Sequence, residues 1–272
     1  RFDAAELLDT CGTGGDKSGT FNISTTVAFV AAGAGIRVAK HGNRAASSQC
    51  GSADVLQALG VNLDLTPEQV GECVETVGVG FLFAPKLHPA MRYAIGVRRE
   101  LGVPTIFNIL GPLTNPAGAR RQLMGVFAAD LTDLLAHVLG ELGSVSAMVV
   151  SGYGGLDELT TTGPNKVSHF QNGAVRSYEL NPADLGFRGA PISELQGGDP
   201  AQNAAILRGV LSGGIDDAKR DVVLLNGAAA LVAGGVATTI QEGITQAAQV
   251  IDSGAALAKL EALIEASQRF VN

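Results

Sequence analysis

Residues 10–25 read TCGTGGDKSGTFNIST, and an apolar, uncharged segment follows at once. Gly12, Gly14, Gly15 and Gly19 bare consecutive backbone amides, and Ser24 and Thr25 are good N-cap types opening a buried helix over 27–34. The loop is not a P-loop, because Asp16 stands before Lys17-Ser18 where that pattern needs glycine. It is not the dinucleotide fingerprint either, because Lys17 occupies the third glycine position. What remains is an anion site: small residues leading into the partly positive end of a helix.

Outward from this loop, strand and helix signals alternate. IRVAKHG (36–42) reads as a strand, SADVLQALG (52–60) as a helix capped by Ser52, and TPEQVGECVETVG (66–78) as a second with Pro67 in its first turn. GFLFAP (80–85) reads as a buried strand and HPAMRYAIGVRRELG (88–102) as a helix. IFNILGPLTNPAG (106–118) is read as a connection between layers. RRQLMGVF, LTDLLAHVLGELG and SAMVVSG then read as strand, helix and strand. Asn172-Gly173 within KVSHFQNGAVRSYEL marks a hairpin, and two helical stretches close the chain. The predicted class is α/β, with a central mostly parallel sheet and an antiparallel excursion near 166–180.

The totals narrow the function. There are 36 glycines in 272 residues, nearly double the usual ~7%, and tryptophan is absent. The net charge of −7 and pI near 5.1 offer no general attraction for nucleic acid or an anionic membrane. The longest uncharged run, 222–241, is interrupted by Asn226-Gly227 and Gly234-Gly235 and reads as buried structure, not a membrane span. Cys11, Cys50 and Cys73 fit neither a disulfide framework nor a CxxC metal site, and point to reduced thiols in the cytoplasm. The start at Arg1 points to a preceding segment outside this sequence.

Two further loops carry chemistry. KHGNRAASS (40–48) gathers Lys40, His41 and Arg44 with Ser47 and Ser48, and Ser52 follows, beyond the end of a strand, where open α/β sheets bind ligands. GGLDELTTTGP (154–164) sets Asp157 beside Glu158 after SAMVVSG, a pair able to hold Mg2+ beside phosphates. His88, Arg92 and Arg99 share one face of a predicted helix, and an arginine there could meet a carboxylate. His137 and His169 read as scaffold.

Taken together, GTGGD, TFNIST, KHGNRAASS, GSAD, HPAMRYAIGVRRELG, FNILGPLTNP and GLDELTTTGP resemble the anthranilate phosphoribosyltransferase family of tryptophan biosynthesis. The resemblance implies a pentosyl transfer from phosphoribosyl pyrophosphate (PRPP) to the amino group of anthranilate, with Mg2+. Carried over, Gly12, Gly15, Asp16, Thr20, Asn22, Ile23, Ser24, Thr25, Lys40, His41, Gly42, Asn43, Arg44, Ala45, Ala46, Ser47, Ser48 and Ser52 would contact PRPP. Ser24, Asp157 and Glu158 would hold the metal. Gly12, Asn43, His88, Tyr93 and Arg98 would meet anthranilate, and Lys40, Arg98, Asp157 and Glu158 would carry the chemistry.

The resemblance also implies an α/β domain over 1–84 and 119–272. The segment 85–118 would belong to a small helical domain, whose N-terminal part is absent from this sequence and through which the family forms homodimers. Partners would be small molecules, not nucleic acid or membrane. Ser151 departs from the family, which commonly has a histidine there. Two alternatives stay open: a pyrimidine nucleoside phosphorylase of the same fold class, and a non-enzymatic nucleic-acid-binding relative.

Overall fold

The computed structural model describes residues 3–45, 48–88, 105–271, Tyr93 and Glu100. Seven strands form one sheet in the order β3-β2-β1-β4-β5-β6-β7. They are β1 (Leu7–Gly12), β2 (Arg37–Gly42), β3 (Val79–Phe83), β4 (Arg121–Gly125), β5 (Ser146–Ser151), β6 (Asn165–Gln171) and β7 (Ala174–Leu180). The first five pair in parallel, and β6 and β7 run antiparallel. Asn172 and Gly173 both take positive φ (53° and 77°), the geometry of a two-residue turn whose twist matches its flanking strands.

The five parallel strands are buried on both faces, as a covered parallel sheet requires, whereas β7 is largely exposed. Along β5, Met148 and Val150 join the larger core cluster while Ala147 and Val149 join the smaller one on the opposite face. α1 (Ile23–Gly33) packs on β1 and β2 with nine of its eleven residues buried. α8 (Ala218–Gly234) packs on α1, β1, β4 and β5, and thirteen of its seventeen residues are buried. α6 (Leu131–Glu141) covers β5 and β6 on the other face. The uncharged run over 222–241 is thus mostly the interior helix α8, which stops at Gly235 in a left-handed turn (φ 80°). Among the described residues no helix is long and apolar enough to cross a membrane.

Several boundaries differ from the sequence reading. α1 begins at Ile23, with Asn22 before it making no capping bond, because that amide is drawn to Cys50 and Asn203 instead. Gly51, not Ser52, precedes α2 (Ser52–Ala58), and the Asp54 carboxylate accepts its N–H. α3 (Pro67–Thr76) keeps Pro67 at its first position behind the Thr66 cap. The connection over 106–118 contains a helix, α5 (Phe107–Leu113), with Pro112 in its last turn, where it gives up the bond its N–H would have made to the Asn108 carbonyl. A short turn, α4 (Ala84–Leu87), follows β3. Four helices, not two, close the chain: α7 (Pro200–Leu211), α8, α9 (Ile240–Asp252) and α10 (Ala255–Gln268). His137 lies on α6 and His169 on β6, as read.

Candidate active site

From β1 the chain proceeds to β2 and β3 on one side, then returns as β4 on the other side of β1. That reversal is the switch point where open α/β sheets bind ligands, beyond the carboxyl ends of the strands. The glycine loop leaves β1 there, and the acidic loop follows β5 next door.

Two glycines admit the acidic loop. Gly12 and Gly125 are register partners on β1 and β4. A Cβ on Gly125 would collide with the Asp157 backbone carbonyl, and one on Gly12 with the Asp157 carboxylate. Into this notch Asp157 settles, its Oδ2 accepting the Gly14 N–H at 2.6 Å. Its own N–H reaches Asp16 Oδ2 at 3.5 Å. Glu158 Oε1 accepts the Ser24 N–H at 3.1 Å, so a carboxylate faces the first turn of α1. The Lys40 ammonium, buried, donates to Thr10 O and, at 3.3 Å, to Ser24 Oγ.

The electrostatics follow from crowding. Burial, then the nearby Asp16 charge, pushes the Asp157 carboxyl up to about 7. Burial and then Asp157 push Glu158 up, while burial pulls Lys40 down against the opposing pull of Asp9 and the other acids. Carboxylates held so close at a loop want a cation. Among the described residues no group of three or more His, Cys, Asp or Glu could hold a metal ion. Two carboxylates and a hydroxyl nonetheless suit Mg2+, which keeps several waters and takes phosphate oxygens as its other ligands.

The glycine loop is held from a distant stretch of chain. Gly14, Gly15, Lys17 and Gly19 all take positive φ, and Asp16 Oδ1 accepts the Ser18 N–H at 3.1 Å. Thr20 bridges to Gln196, whose side chain donates to Ser18 O at 2.7 Å. The Gly197 N–H reaches Gly19 O, and the Phe21 N–H reaches Leu195 O. The Asn22 side chain is fixed by Asn203 (2.9 Å) and Cys50 O (3.1 Å). Ile23 and Thr25 point inward and are buried.

Around the second loop, His41 Nδ1 lies 3.2 Å from Gly111 O, and its ring meets His88 edge-on at 5.0 Å. Burial, with His88 beside it, pulls the His41 pKa down to about 4, so it is neutral near pH 7. Gly42 abuts Phe81 and Ser52, and Asn43 Oδ1 accepts the Arg44 N–H. The Arg44 guanidinium is engaged by Asp54 (2.7 Å) and Gln57 (2.8 Å) and lies over the Phe83 ring. The Ala45 N–H also donates to Asp54, and Ser48 is exposed. Tyr93 is exposed. Ala46, Ser47 and Arg98 lie outside the described residues.

Sequence reading passed over several residues that shape this site. Gly125, Gln196 and Asn203 are distant from the motifs they support. Asn226 is another: fully buried on α8, it accepts the Leu159 N–H (2.9 Å) and donates to Leu159 O (2.7 Å). An amide interrupting an uncharged run was its signal. Asn226→Leu, which keeps the branching and heavy-atom count but offers no polar atom, leaves both Leu159 groups unpaired in the interior. We expect a loss of about 2–4 kcal/mol in urea unfolding, and a midpoint equal to the parent's would show that the clamp contributes nothing.

Comparison with known proteins agrees with this geometry. A family model described as "Glycosyl transferase family, a/b domain" matches residues 4–257. The anthranilate phosphoribosyltransferase of Moorella thermoacetica is 58% identical over 258 residues, covering 95% of this chain and 76% of that one. That of Roseiflexus sp. (strain RS-1) is 57% identical over 268 residues, covering 98% and 78%. The crystal structure of the Thermus thermophilus enzyme superposes with a TM-score of 0.92 at 47% identity, covering 97% of this chain and 78% of that one. The Saccharomyces cerevisiae enzyme, solved in complex with PRPP and Mg, superposes at 0.90 with 32% identity, covering 98% and 75%. The chain belongs to the anthranilate phosphoribosyltransferase family.

Proposed function

We propose that this protein transfers the phosphoribosyl group of PRPP to the amino group of anthranilate. The products are N-(5-phosphoribosyl)anthranilate and pyrophosphate, a step of tryptophan biosynthesis. The observation that carries the reading is the acidic pair seated in the Gly12–Gly125 notch, beside the amide-rich loop and the first turn of α1. Such a crevice suits a diphosphate with a divalent cation, and the yeast relative was solved with PRPP and Mg.

In this reading the amides of Gly12, Gly15 and the loop to Thr25 line the diphosphate, and backbone of the 40–48 loop with Ser52 closes around the ribose and phosphates. Ser24, Asp157 and Glu158 would hold Mg2+. The ion, when bound, would offset the charge of the diphosphate as it leaves. Lys40 adds positive charge beside Ser24. Anthranilate would sit against Gly12, Asn43, His88 and Tyr93, with Arg98 meeting its carboxylate.

The C1′–O bond to diphosphate breaks while the amine nitrogen bonds to C1′, and the proton then leaves that nitrogen for solvent. An aromatic amine is already neutral, so no strong base is required, and neutral His41 imposes no cation on the amine. Holding both reactants in line is the main task, worth up to roughly 7–11 kcal/mol in favourable systems. The strands and most helices form the phosphoribosyl-binding domain, with 85–118 belonging to or hinging on a small helical domain through which the protein dimerises. The three buried free thiols suit the reducing cytoplasm.

Anthranilate fluorescence tests the reading. Purified protein with PRPP and Mg2+ is expected to deplete the signal, and omitting either should stop it. Undiminished anthranilate, with phosphate-dependent cleavage of a pyrimidine nucleoside instead, would overturn it.

A further inference from the structure

We propose that Asp9 is a positioning residue for the transfer reaction, its carboxylate standing in, with Asn115, for backbone pairing lost where β1 and β2 part. The proposal rests on the reading above, since the segment it fixes is the one that would close around PRPP.

Among the described residues, β1 and β2 pair only at Leu7↔Arg37 and Leu8↔Val38. On either side the ladders continue: β2 with β3 to Gly42↔Phe83, and β1 with β4 to Gly12↔Gly125. The gap beyond Leu8 and Val38 is crossed by side chains. Asp9 Oδ1 accepts the His41 N–H at 3.0 Å. Asn115 Nδ2 donates at 2.8 Å both to Asp9 Oδ2 and to Ala39 O. The Lys40 ammonium donates to Thr10 O. Three backbone groups, Thr10 O, Ala39 O and His41 N–H, are therefore satisfied by a lysine, an asparagine and an aspartate.

A carboxylate suits this place for a reason of counting. Two donors, the His41 N–H and the Asn115 amide, converge on one side chain, which must offer two acceptor oxygens. An asparagine would offer one oxygen and turn its NH2 on the second donor. Asp9 is fully buried, so water cannot make up the difference.

The position matters because the Lys40 ammonium also donates to Ser24 Oγ, and the Ser24 N–H holds Glu158. A shift of β2 at residue 39 or 41 moves Lys40 relative to the acidic pair. Asn115 carries the constraint outward: its Oδ1 accepts the Ala117 N–H at 2.9 Å, and nearby Gly111 O meets the His41 ring. The connection bearing α5 is thereby pinned to the same strand end.

The test compares Asp9→Asn, Asn115→Ala and the double variant with the parent protein. Both substrates are varied in steady state, and hydrogen exchange is followed over residues 39–45. Asp9→Asn is expected to lower kcat/KM for PRPP by about 100-fold, the scale of a misplacement near 1 Å, while the KM for anthranilate changes far less. Asn115→Ala should act in the same direction more weakly, and the double variant should lose less than the two single losses combined, because the two residues share one bond. The 39–45 amides should exchange faster in each.

A folded Asp9→Asn protein with parental kcat and KM for PRPP would overturn the proposal, as would equal losses for both substrates. If Asp9→Asn does not fold, Asn115→Ala decides: unchanged exchange over 39–45 with an unchanged KM for PRPP overturns it. Should the parent itself not turn over PRPP and anthranilate, the functional reading fails, whereas exchange in the variants still judges the hold of Asp9 on His41.

Discussion

Gly125→Ala is expected to reduce kcat/KM by at least about 100-fold and to lower stability by about 1–3 kcal/mol. The added methyl has nowhere to go. At Gly125 it meets backbone, the carbonyl of Asp157, which cannot swing aside as a side chain could. The neighbouring Leu159 is held at both its N–H and C=O by Asn226, so the loop cannot retreat without losing that clamp. Either the acidic pair is displaced or the β1–β4 ladder opens, and both move Asp157 relative to Gly14. Gly71→Ala is the control, because its Cβ would meet nothing within 4 Å and lies on α3. It should leave kinetics unchanged and raise stability by up to about 1 kcal/mol. Parental activity in Gly125→Ala would show that the notch does not set the acidic loop.

The second large effect separates stability from activity. Asp157→Asn with Glu158→Gln should cut turnover by roughly 1,000-fold, on the scale of losing one preorganised electrostatic partner. The same variant should melt higher than its parent when no divalent cation is added. The Asp157 carboxyl has an ordinary value of 3.8 and is pushed up to about 7, so folding favours its protonated form. Its contribution is fully favourable below about pH 4 and is lost as pH rises through 7. At pH 8 the parent therefore carries an ionised Asp157 that burial and the nearby Asp16 charge oppose. The neutral amides keep acceptor oxygens for the Gly14 and Ser24 N–H groups without that charge. A rise in Tm of about 5 °C at pH 8, shrinking to little at pH 4, is the expected signature. It places cost at a functional site and benefit in the bound state.

How far the sequence reaches can be judged from particular residues. The hairpin was legible because Asn172-Gly173 is a local signal that needs no partner elsewhere. Four of the five parallel strands were legible as short apolar runs, but β1 was not, because Asp9 and Thr10 interrupt its apolar residues. The loops after β1, β2 and β5 were legible as clusters of glycine, hydroxyl and charge. Strand order was not, because it depends on which distant segments meet. For the same reason the Leu195–Asn203 brace on the glycine loop could not be read, since Gln196 and Ser18 are far apart in the chain. α5 is hidden because Gly111 and Pro112 read as turn residues, and a helix this short offers too few residues for a period to show. Nothing in the sequence around Asp9 marks it out. Only the parting of β1 and β2 shows what its two oxygens hold.

The most direct measurement is calorimetric titration of PRPP into the parent protein with Mg2+, with a chelator in its place, and into the Asp157→Asn/Glu158→Gln variant. Binding is expected with Mg2+ and is expected to be lost both with the chelator and in the variant. Equal PRPP affinity in all three titrations would contradict a diphosphate-and-metal site at the β1–β4 switch point.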